Sequence, residues 1–315
     1  LLVVITILLV LVGITVTVLN VSLDGEKIRV GTRQIQSYLM GARDRALYNG
    51  RPCGVRFLLD PIDNRTIRRM VFVQVPDDWQ RGSFRVLGHP NPSMSILEEV
   101  LQDVDGDGYG ETATTDWRQI LRNASGQIIR PERIEIQGQW YTVIDESLPY
   151  TPTSGNLPRD RLLIRPAFRG PVGTLIGEGE YRLRRQAVLM PDAEPGVLPL
   201  SVVVDLNNCR RNPSTDAGGA TLPASWKTGS PYSTVMDLMF SPRGAVIGPE
   251  ASHGVIHLLI NGSGDTELAL SPLDPVNSTE KRVVTVFTRT GYVTTSKLFV
   301  GNNLFYYAER GETDE

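Results

Sequence analysis

The chain has few of the residues that most often form a covalent scaffold or a metal centre. Its 315 residues include only two cysteines, Cys53 and Cys209, and three histidines. So few cysteines exclude a disulfide-rich scaffold. The two either pair as one disulfide, if the body of the protein lies outside the cytoplasm, or are separate buried apolar residues. His253 and His257 lie four residues apart in an expected strand, which is too far apart to clamp one metal ion.

The sequence also lacks the short motifs of common enzyme classes. It contains no G-x-S-x-G nucleophile elbow, no P-loop and no G-x-G-x-x-G dinucleotide fingerprint. The formal net charge of −3 gives no broad basic field, which argues against general nucleic-acid binding. Small arginine clusters around Arg184 and Arg210 are interpreted as solvated strand edges, with a DNA site as the alternative. We therefore expect a protein without catalytic activity.

Charge is missing altogether from the first 23 residues, LLVVITILLVLVGITVTVLNVSL, which end before Asp24. A helix of about 20 apolar residues crosses a hydrocarbon core of about 30 Å. A secretory signal peptide would need a basic start and a small-residue cleavage site, and the stretch shows neither. It therefore predicts a membrane or filament-core helix, with a plain single-pass anchor as the alternative. Its assembly residues would be Leu1, Leu2, Val3, Val4, Ile5, Leu8, Leu9 and Gly13.

The following segment, Glu26 to about Tyr48, has the periodicity of an amphipathic helix. Its apolar residues recur at spacings of seven, four, three and four, which places them on one helical face. They are Ile28, Ile35, Leu39, Ala42 and Ala46. Asn49-Gly50 predicts the end of the helix, because glycine readily adopts the left-handed conformation that closes one. We expect the apolar face to pack against the strands that follow.

The rest of the chain alternates short apolar runs with turns, which predicts strands. The sequence therefore predicts an α+β fold, pilin-like, in which a long N-terminal helix packs on a mainly antiparallel β-sheet body. That helix would be apolar in its membrane half and amphipathic in its second half. We expect two domains, the helix at 1–50 and a β-rich domain at 51–315 with an enlarged insertion at about 77–196. A short helix is expected at Ser95–Leu101 and a loop at 77–92. Strands are expected at Cys53–Leu59, Thr66–Val75, Ile128–Ile136, Trp140–Ile144, Arg161–Ile164, Tyr181–Leu189, Val197–Leu206, Thr234–Phe240, Gly254–Ile260, Arg282–Thr288 and Gly291–Phe299.

An acidic stretch, DVDGDGYGE at 103–111, has the spacing of a metal-binding loop. Its three aspartates match positions 1, 3 and 5 of an EF-hand calcium loop, where carboxylates stand two residues apart. Thr114, however, stands where that pattern has a bidentate glutamate. The sequence therefore predicts either a structural calcium ion that orders this loop or a solvated Asp/Gly turn. The calcium ligands would be Asp103, Asp105, Asp107, Tyr109 and Glu111.

Three stretches together resemble a known family. The start, LLVVI, is similar to the run that follows the Phe-Thr-Leu-Ile-Glu start of type IV pilins and type II secretion pseudopilins. QSYLMGARDRA at 36–46, with NGRPCGVRF at 49–57, resembles the helix end and first strand of minor pseudopilins of the GspH/FimT type. DLMFSPRG at 237–244, with the strand and hairpin residues that follow to Val293, resembles the closing strands of that family. The matches cover both ends of the chain in the order that the family has.

The resemblance implies a non-catalytic minor pseudopilin of the type II secretion system or a type IV pilus-like filament. A prepilin leader and a methylated N-terminal residue would precede Leu1. The helix would cross the bacterial inner membrane once, and the C-terminal domain would lie in the periplasm or on a cell-envelope filament. The implied partners are other pilin or pseudopilin subunits, inner-membrane lipid, the secretion-machine platform and exported protein cargo. A DNA-uptake minor pilin and a membrane-tethered periplasmic enzyme are the alternatives.

Overall fold

The chain is mostly β. A computed structural model describes residues 2–60, 65–102, 112–115, 133–144, 161–191, 193–211, 220–221, 235–248, 251, 254–267, 280–299 and 304–311, with helix side chains from Gly25 onward. Among the residues that the structure describes, more lie in strands than in helices. The α+β class expected from the sequence is therefore wrong, because much of the chain that reads as irregular pairs into short strands. Among the described residues, no helix has both the length and the apolar character that crossing a membrane requires.

The elements follow one another in the chain with one long helix first. The helices are α1 (Leu2–Asn49), α2 (Ser263–Glu267) and α3 (Tyr306–Glu309). The strands are β1 (Cys53–Leu59), β2 (Thr66–Gln74), β3 (Phe84–Gly88), β4 (Ser95–Glu99), β5 (Leu101–Gln102), β6 (Thr112–Ala113), β7 (Arg133–Ile136), β8 (Gln139–Ile144), β9 (Arg161–Arg165), β10 (Leu175–Ile176), β11 (Tyr181–Arg184), β12 (Val188–Leu189), β13 (Gly196–Val197), β14 (Val202–Asp205), β15 (Arg210–Arg211), β16 (Ala220–Thr221), β17 (Val235–Phe240), β18 (Val246–Ile247), β19 (Val255–Gly262), β20 (Arg282–Phe287) and β21 (Tyr292–Lys297).

The chain divides into two compact units. Unit 1 comprises residues 1–74 and 189–315, and unit 2 comprises residues 75–188. Unit 1 contains α1 and a sheet in the order β16-β15-β19-β14-β2-β1-β17-β18, with β20 and β21 continuing from β19. Unit 2 contains a sheet in the order β10-β3-β4-β9-β8-β7-β11 and the separate pair β5-β6.

Helix α1 ends where the sequence predicts. Its last residue is Asn49, and Gly50 follows with a φ of 63°, a left-handed conformation that costs glycine little. The expected inner face is also confirmed, because Ile28, Ile35, Leu39, Ala42 and Ala46 are at most 2% exposed. These side chains join the core of unit 1 together with residues of β1, β17, β19 and β20.

In unit 1, β1 pairs antiparallel with β2 on one side and with β17 on the other. Strands β19, β20 and β21 form a meander that begins opposite β14. The expected strand at Cys53–Leu59 is confirmed with the same bounds, and that at Thr66–Val75 ends one residue earlier. The apolar run Val197–Leu206 divides into β13 and β14, because Pro199 and Ser201, the latter with a φ of 68°, lie between them.

In unit 2, one face of the seven-stranded sheet forms the core. Phe84 and Tyr181 pack edge to face there, with ring centroids 4.9 Å apart. The outer side of β11 pairs with Trp79, whose backbone exchanges two hydrogen bonds of 2.9 and 2.8 Å with Leu183. This bridge covers part of an edge strand that would otherwise present unpaired backbone groups.

Two expectations for unit 2 are wrong. Ser95–Leu101 was expected as a helix, but Ser95–Glu99 is strand β4, held between β3 and β9. Hydrogen bonds to both neighbouring strands outweigh the local preference of a short segment. The expected loop at 77–92 contains strand β3, whose Phe84 and Val86 alternate inward.

Candidate functional site

The candidate functional site is the described half of α1, which has one face buried in unit 1 and an apolar stripe on the other. Small residues let the helix lie close to the sheet. A Cβ atom added at Gly31 would stand 2.9 Å from Cγ1 of Val202, so glycine is needed for this approach. Ala42 and Ala46 are fully buried farther along the same face.

Side-chain hydrogen bonds fix the rotation of α1 on unit 1. Nε2 of Gln36 donates to the carbonyl oxygen of Val293 at 3.2 Å, and Nε2 of Gln34 donates to that of Val197 at 3.1 Å. Because these bonds reach strands on both sides of the helix, rotation of α1 about its axis would break one or the other.

Aromatic packing closes one flank of the helix. The rings of Tyr38 and Phe72 stack with centroids 4.7 Å apart and planes 7° apart. The guanidinium carbon of Arg45 lies 3.9 Å from the centroid of the Phe72 ring. A Cβ atom added at Gly196 would stand 2.5 Å from the Tyr38 ring, so this glycine leaves room for the stack.

The side of α1 that faces away from the sheet carries exposed apolar residues. Val30 is 52% exposed, Met40 40%, Leu47 43% and Tyr48 92%. At 3.6 residues per turn these four positions lie within about 100° of one another on the helix. We name them the outer stripe. Exposed apolar residues gathered on one side of a helix are typical of a helix that contacts another protein or a membrane. Exposed Arg33 and Asp44 lie on the same side, so the surface is mixed.

The outer stripe was not predicted from the sequence. The signal was available, because Val30, Met40 and Leu47 lie at spacings of ten and seven on the side opposite the expected buried face. The spacing of the buried residues was the stronger signal. Arg33 and Asp44 lie on the same side as the outer stripe, and their charges favoured the interpretation of that side as solvent-exposed.

The predicted site residues fall in three groups. The predicted assembly residues at the start of α1 belong to the helix from Leu2 onward, but their side chains lie outside the described residues. The acidic loop at 103–111 also lies outside the described residues. Among the described residues, no cluster of three or more His, Cys, Asp or Glu side chains could hold a metal ion. The calcium ion therefore stays a prediction.

Cys53 and Cys209 are both described, and they are thiols rather than a disulfide. Both are buried in the core of unit 1. Sγ of Cys209 donates to the carbonyl oxygen of Asp205 at 3.0 Å and accepts from the amide of Leu259 at 3.3 Å. Burial raises the pKa of the Cys53 thiol, and the side chain of Asn49 opposes that rise.

His257 is the most perturbed titratable group of the described chain. Burial lowers its pKa to about 4. Its Nδ1 lies 2.9 Å from Oγ1 of Thr285, and its ring stacks on Phe305 with centroids 4.7 Å apart. Nε2 is buried with no hydrogen-bond partner. The neutral imidazole therefore belongs to the core. His257 lies on β19 and Cys53 lies on β1, and two strands, β14 and β2, separate them in the sheet.

The two arginine clusters are placed in different units. Arg184 belongs to β11 in unit 2, and Arg210 belongs to β15 in unit 1. Nη1 of Arg210 donates to the carbonyl oxygens of Asn207 and Cys209 at 2.7 and 2.9 Å, which gives it a structural role in that turn. Arg184 is exposed and covers the ring of Trp140.

Comparison of the chain with protein-family models, with curated proteins and with solved structures finds no match.

Proposed function

We propose that this chain is a non-catalytic, minor pseudopilin-like subunit that assembles through its N-terminal helix into a type II secretion pseudopilus or a type IV pilus-like filament. The proposal is supported by the resemblance of the two ends of the chain to minor pseudopilins of the GspH/FimT type. The single observation that carries it is helix α1, which is buried on unit 1 on one side and carries exposed apolar residues among charged ones on the other.

Helix α1 carries apolar side chains both at its start and in its described half. The first 23 residues carry no charge in sequence, and the outer stripe adds exposed apolar side chains, with Arg33 and Asp44 among them, in the described half of α1. Such a helix gains little hydrophobic energy on moving from lipid to a bundle of similar helices, because lipid tails are as apolar as leucine. Close packing with neighbouring helices then holds the subunit in place, and extraction from the membrane needs a motor outside this chain.

In this role the subunit lies in the bacterial inner membrane before assembly, with the sheet units in the periplasm. Its partners are other pilin or pseudopilin subunits, and exported cargo contacts the sheet units. A calcium ion in the loop at 103–111 would have a structural role in ordering that loop.

Site-specific photo-crosslinking tests this proposal in the full chain expressed in a bacterial inner membrane. A photoreactive residue at Met40 should give crosslinks to a second helix-bearing subunit, because Met40 lies in the outer stripe. The matched control is a photoreactive residue at Val172, which is 71% exposed in unit 2. Equal crosslinking from both positions, or release of the chain by sodium carbonate, would contradict the proposal.

A further inference from the structure

Four residues form a straight row across the sheet of unit 2. Arg184 on β11 lies directly opposite Arg133 on β7, Arg133 opposite Thr142 on β8, and Thr142 opposite Arg165 on β9. Residues directly opposite each other share a face of the sheet, and adjacent strands lie about 4.8 Å apart, so the row is about 14 Å long. All four residues are exposed. We name them the arginine row.

A second row lies beside it on the same face. Arg182 lies opposite Glu135, and Glu135 lies opposite Trp140. Nε of Arg182 stands 3.7 Å from Oε2 of Glu135, so this pair is neutral as a unit. Trp140 is 39% exposed, and the guanidinium carbon of Arg184 lies 4.9 Å from the centroid of its ring.

Stability does not explain the arginine row. Like charges directly opposite each other destabilise a sheet, and Arg133 lies directly opposite Arg184 on the adjacent strand. Of the residues in the two rows, Glu135 is the one carboxylate, and Arg182 already pairs with it. The stability of the sheet comes from its other face, where Ile134 and Tyr141 are buried. The arginine row therefore retains three exposed cations that no carboxylate in the two rows offsets.

We propose that the arginine row and Trp140 bind an acidic segment of another protein. Guanidinium groups donate paired hydrogen bonds to carboxylates, and tryptophan and arginine are enriched among the residues that dominate the binding energy of protein interfaces. Glu135, directly opposite Trp140, disfavours a nucleic acid, because a base stacked on the indole would bring its phosphates beside a carboxylate. A flexible acidic segment can turn individual carboxylates away from that point, whereas a nucleic acid carries a phosphate at every nucleotide. The proposal does not depend on the assembly role of α1.

The test measures peptide binding to the full chain in micelles of an uncharged detergent. Fluorescence anisotropy follows a labelled hexaglutamate peptide, with a hexaglutamine peptide as the neutral control. We expect hexaglutamate to bind and hexaglutamine not to bind. The affinity for hexaglutamate should fall as NaCl rises from about 50 to about 200 mM, because salt screens exposed charges.

Matched arginine variants locate the binding surface. Arg133→Gln with Arg184→Gln should weaken hexaglutamate binding about fivefold, and Arg165→Gln alone about twofold. Arg165→Gln changes a single residue at the end of the row. It therefore tests the proposal even if the double variant does not fold. Arg169→Gln, which changes an exposed arginine of unit 2 outside both rows, should leave the affinity unchanged.

Three results would overturn the proposal. The first is no binding of hexaglutamate by the folded chain. The second is equal binding by the arginine-row variants and the Arg169→Gln control. The third is tighter binding of a twelve-nucleotide oligo-dT probe than of hexaglutamate, which would make the surface a nucleic-acid site instead.

Discussion

Unit 1 and unit 2 both bury one face of an antiparallel sheet, but they fill their cores with different side chains. In unit 1 a helix covers the sheet, and three of the 29 core residues described are aromatic, namely Phe57, Phe240 and Phe305. In unit 2 the described elements are strands, and three of the 11 core residues described are aromatic, namely Phe84, Tyr141 and Tyr181. A core without a covering helix depends more on a few large rings, each of which fills the space of several aliphatic groups.

This comparison predicts that removing one ring from unit 2 has the largest effect. Phe84→Ala should lower the free energy of unfolding of unit 2 by about 3 to 5 kcal/mol, because it removes the partner of Tyr181 and leaves a cavity. Hydrogen exchange should accelerate in β7, β8 and β9 and stay unchanged in β19 to β21. Leu175→Ala is the control, since Leu175 is 55% exposed on the strand beside Phe84. Equal acceleration of hydrogen exchange in both units would contradict the expected difference between the two cores.

The reciprocal change in unit 1 is Leu39→Ala. Leu39 is fully buried between α1 and the sheet, so its truncation should cost about 3 kcal/mol and accelerate hydrogen exchange in β1 and β20. The next residue provides a matched control, because Met40→Ala removes a side chain that is 40% exposed and should change stability by less than about 0.5 kcal/mol. If the Met40 variant were as unstable as the Leu39 variant, the assignment of inner and outer faces would be wrong.

Acid should destabilise unit 1 through His257. The pKa of His257 is lowered to about 4 by burial, whereas an unfolded histidine titrates near about 6.5. Between these values the unfolded chain binds a proton that the folded chain does not, so stability falls as the pH falls. The full loss is about 3 kcal/mol, since one pKa unit corresponds to about 1.4 kcal/mol. Arg210 on β15 lies directly opposite His257 on β19, so a positively charged residue shares a face of the sheet with His257.

Urea unfolding at a series of pH values would check the effect of His257. His257→Gln removes the titrating group, so its stability should depend less on pH between about 4 and 6.5 than that of the unaltered chain. A variant with the same pH dependence as the unaltered chain would show that other groups cause the loss in acid.

The smallest expected difference concerns one ion pair in each unit. Arg56 and Asp237 lie directly opposite each other in unit 1 and form two hydrogen bonds of 2.7 and 2.6 Å, with side chains 21% and 25% exposed. Asp237→Asn should cost about 1 to 2 kcal/mol, because it weakens a partly buried two-point bond. In unit 2, Glu135→Gln should cost less than about 0.5 kcal/mol, since Arg182 is 60% exposed. Similar losses of unfolding free energy in the two variants would contradict this ranking.

The sequence predicted best the elements whose neighbours are close in the chain. The inner face of α1, its end at Asn49 and strand β1 all follow from local periodicity and turn residues. Strand β4 could not be predicted in this way, because its conformation depends on β3 and on β9, which lies about sixty residues later in the chain. The class as a whole was misjudged for the same reason, since two-residue strands such as β15 exist only through pairing with distant partners.

The candidate sites show the same division. The acidic loop and the apolar start were predicted from composition, and their side chains lie outside the described residues. The outer stripe was present in the spacing of Val30, Met40 and Leu47, but its exposure was decided by which face of α1 meets the sheet. The arginine row was not visible at all, because its members lie at positions 133, 142, 165 and 184 and meet only through strand register.

The sequence by itself determined where charge is absent, where α1 ends and which of its residues are buried, because helical periodicity and glycine conformation act within a few residues. The tertiary structure alone decided that the chain is mostly β and that Cys53 and Cys209 remain thiols in one core. It also brought three arginines from separate strands into one row. The physical reason is that strand pairing satisfies backbone hydrogen bonds between distant segments, and local preference says little about which segments those are.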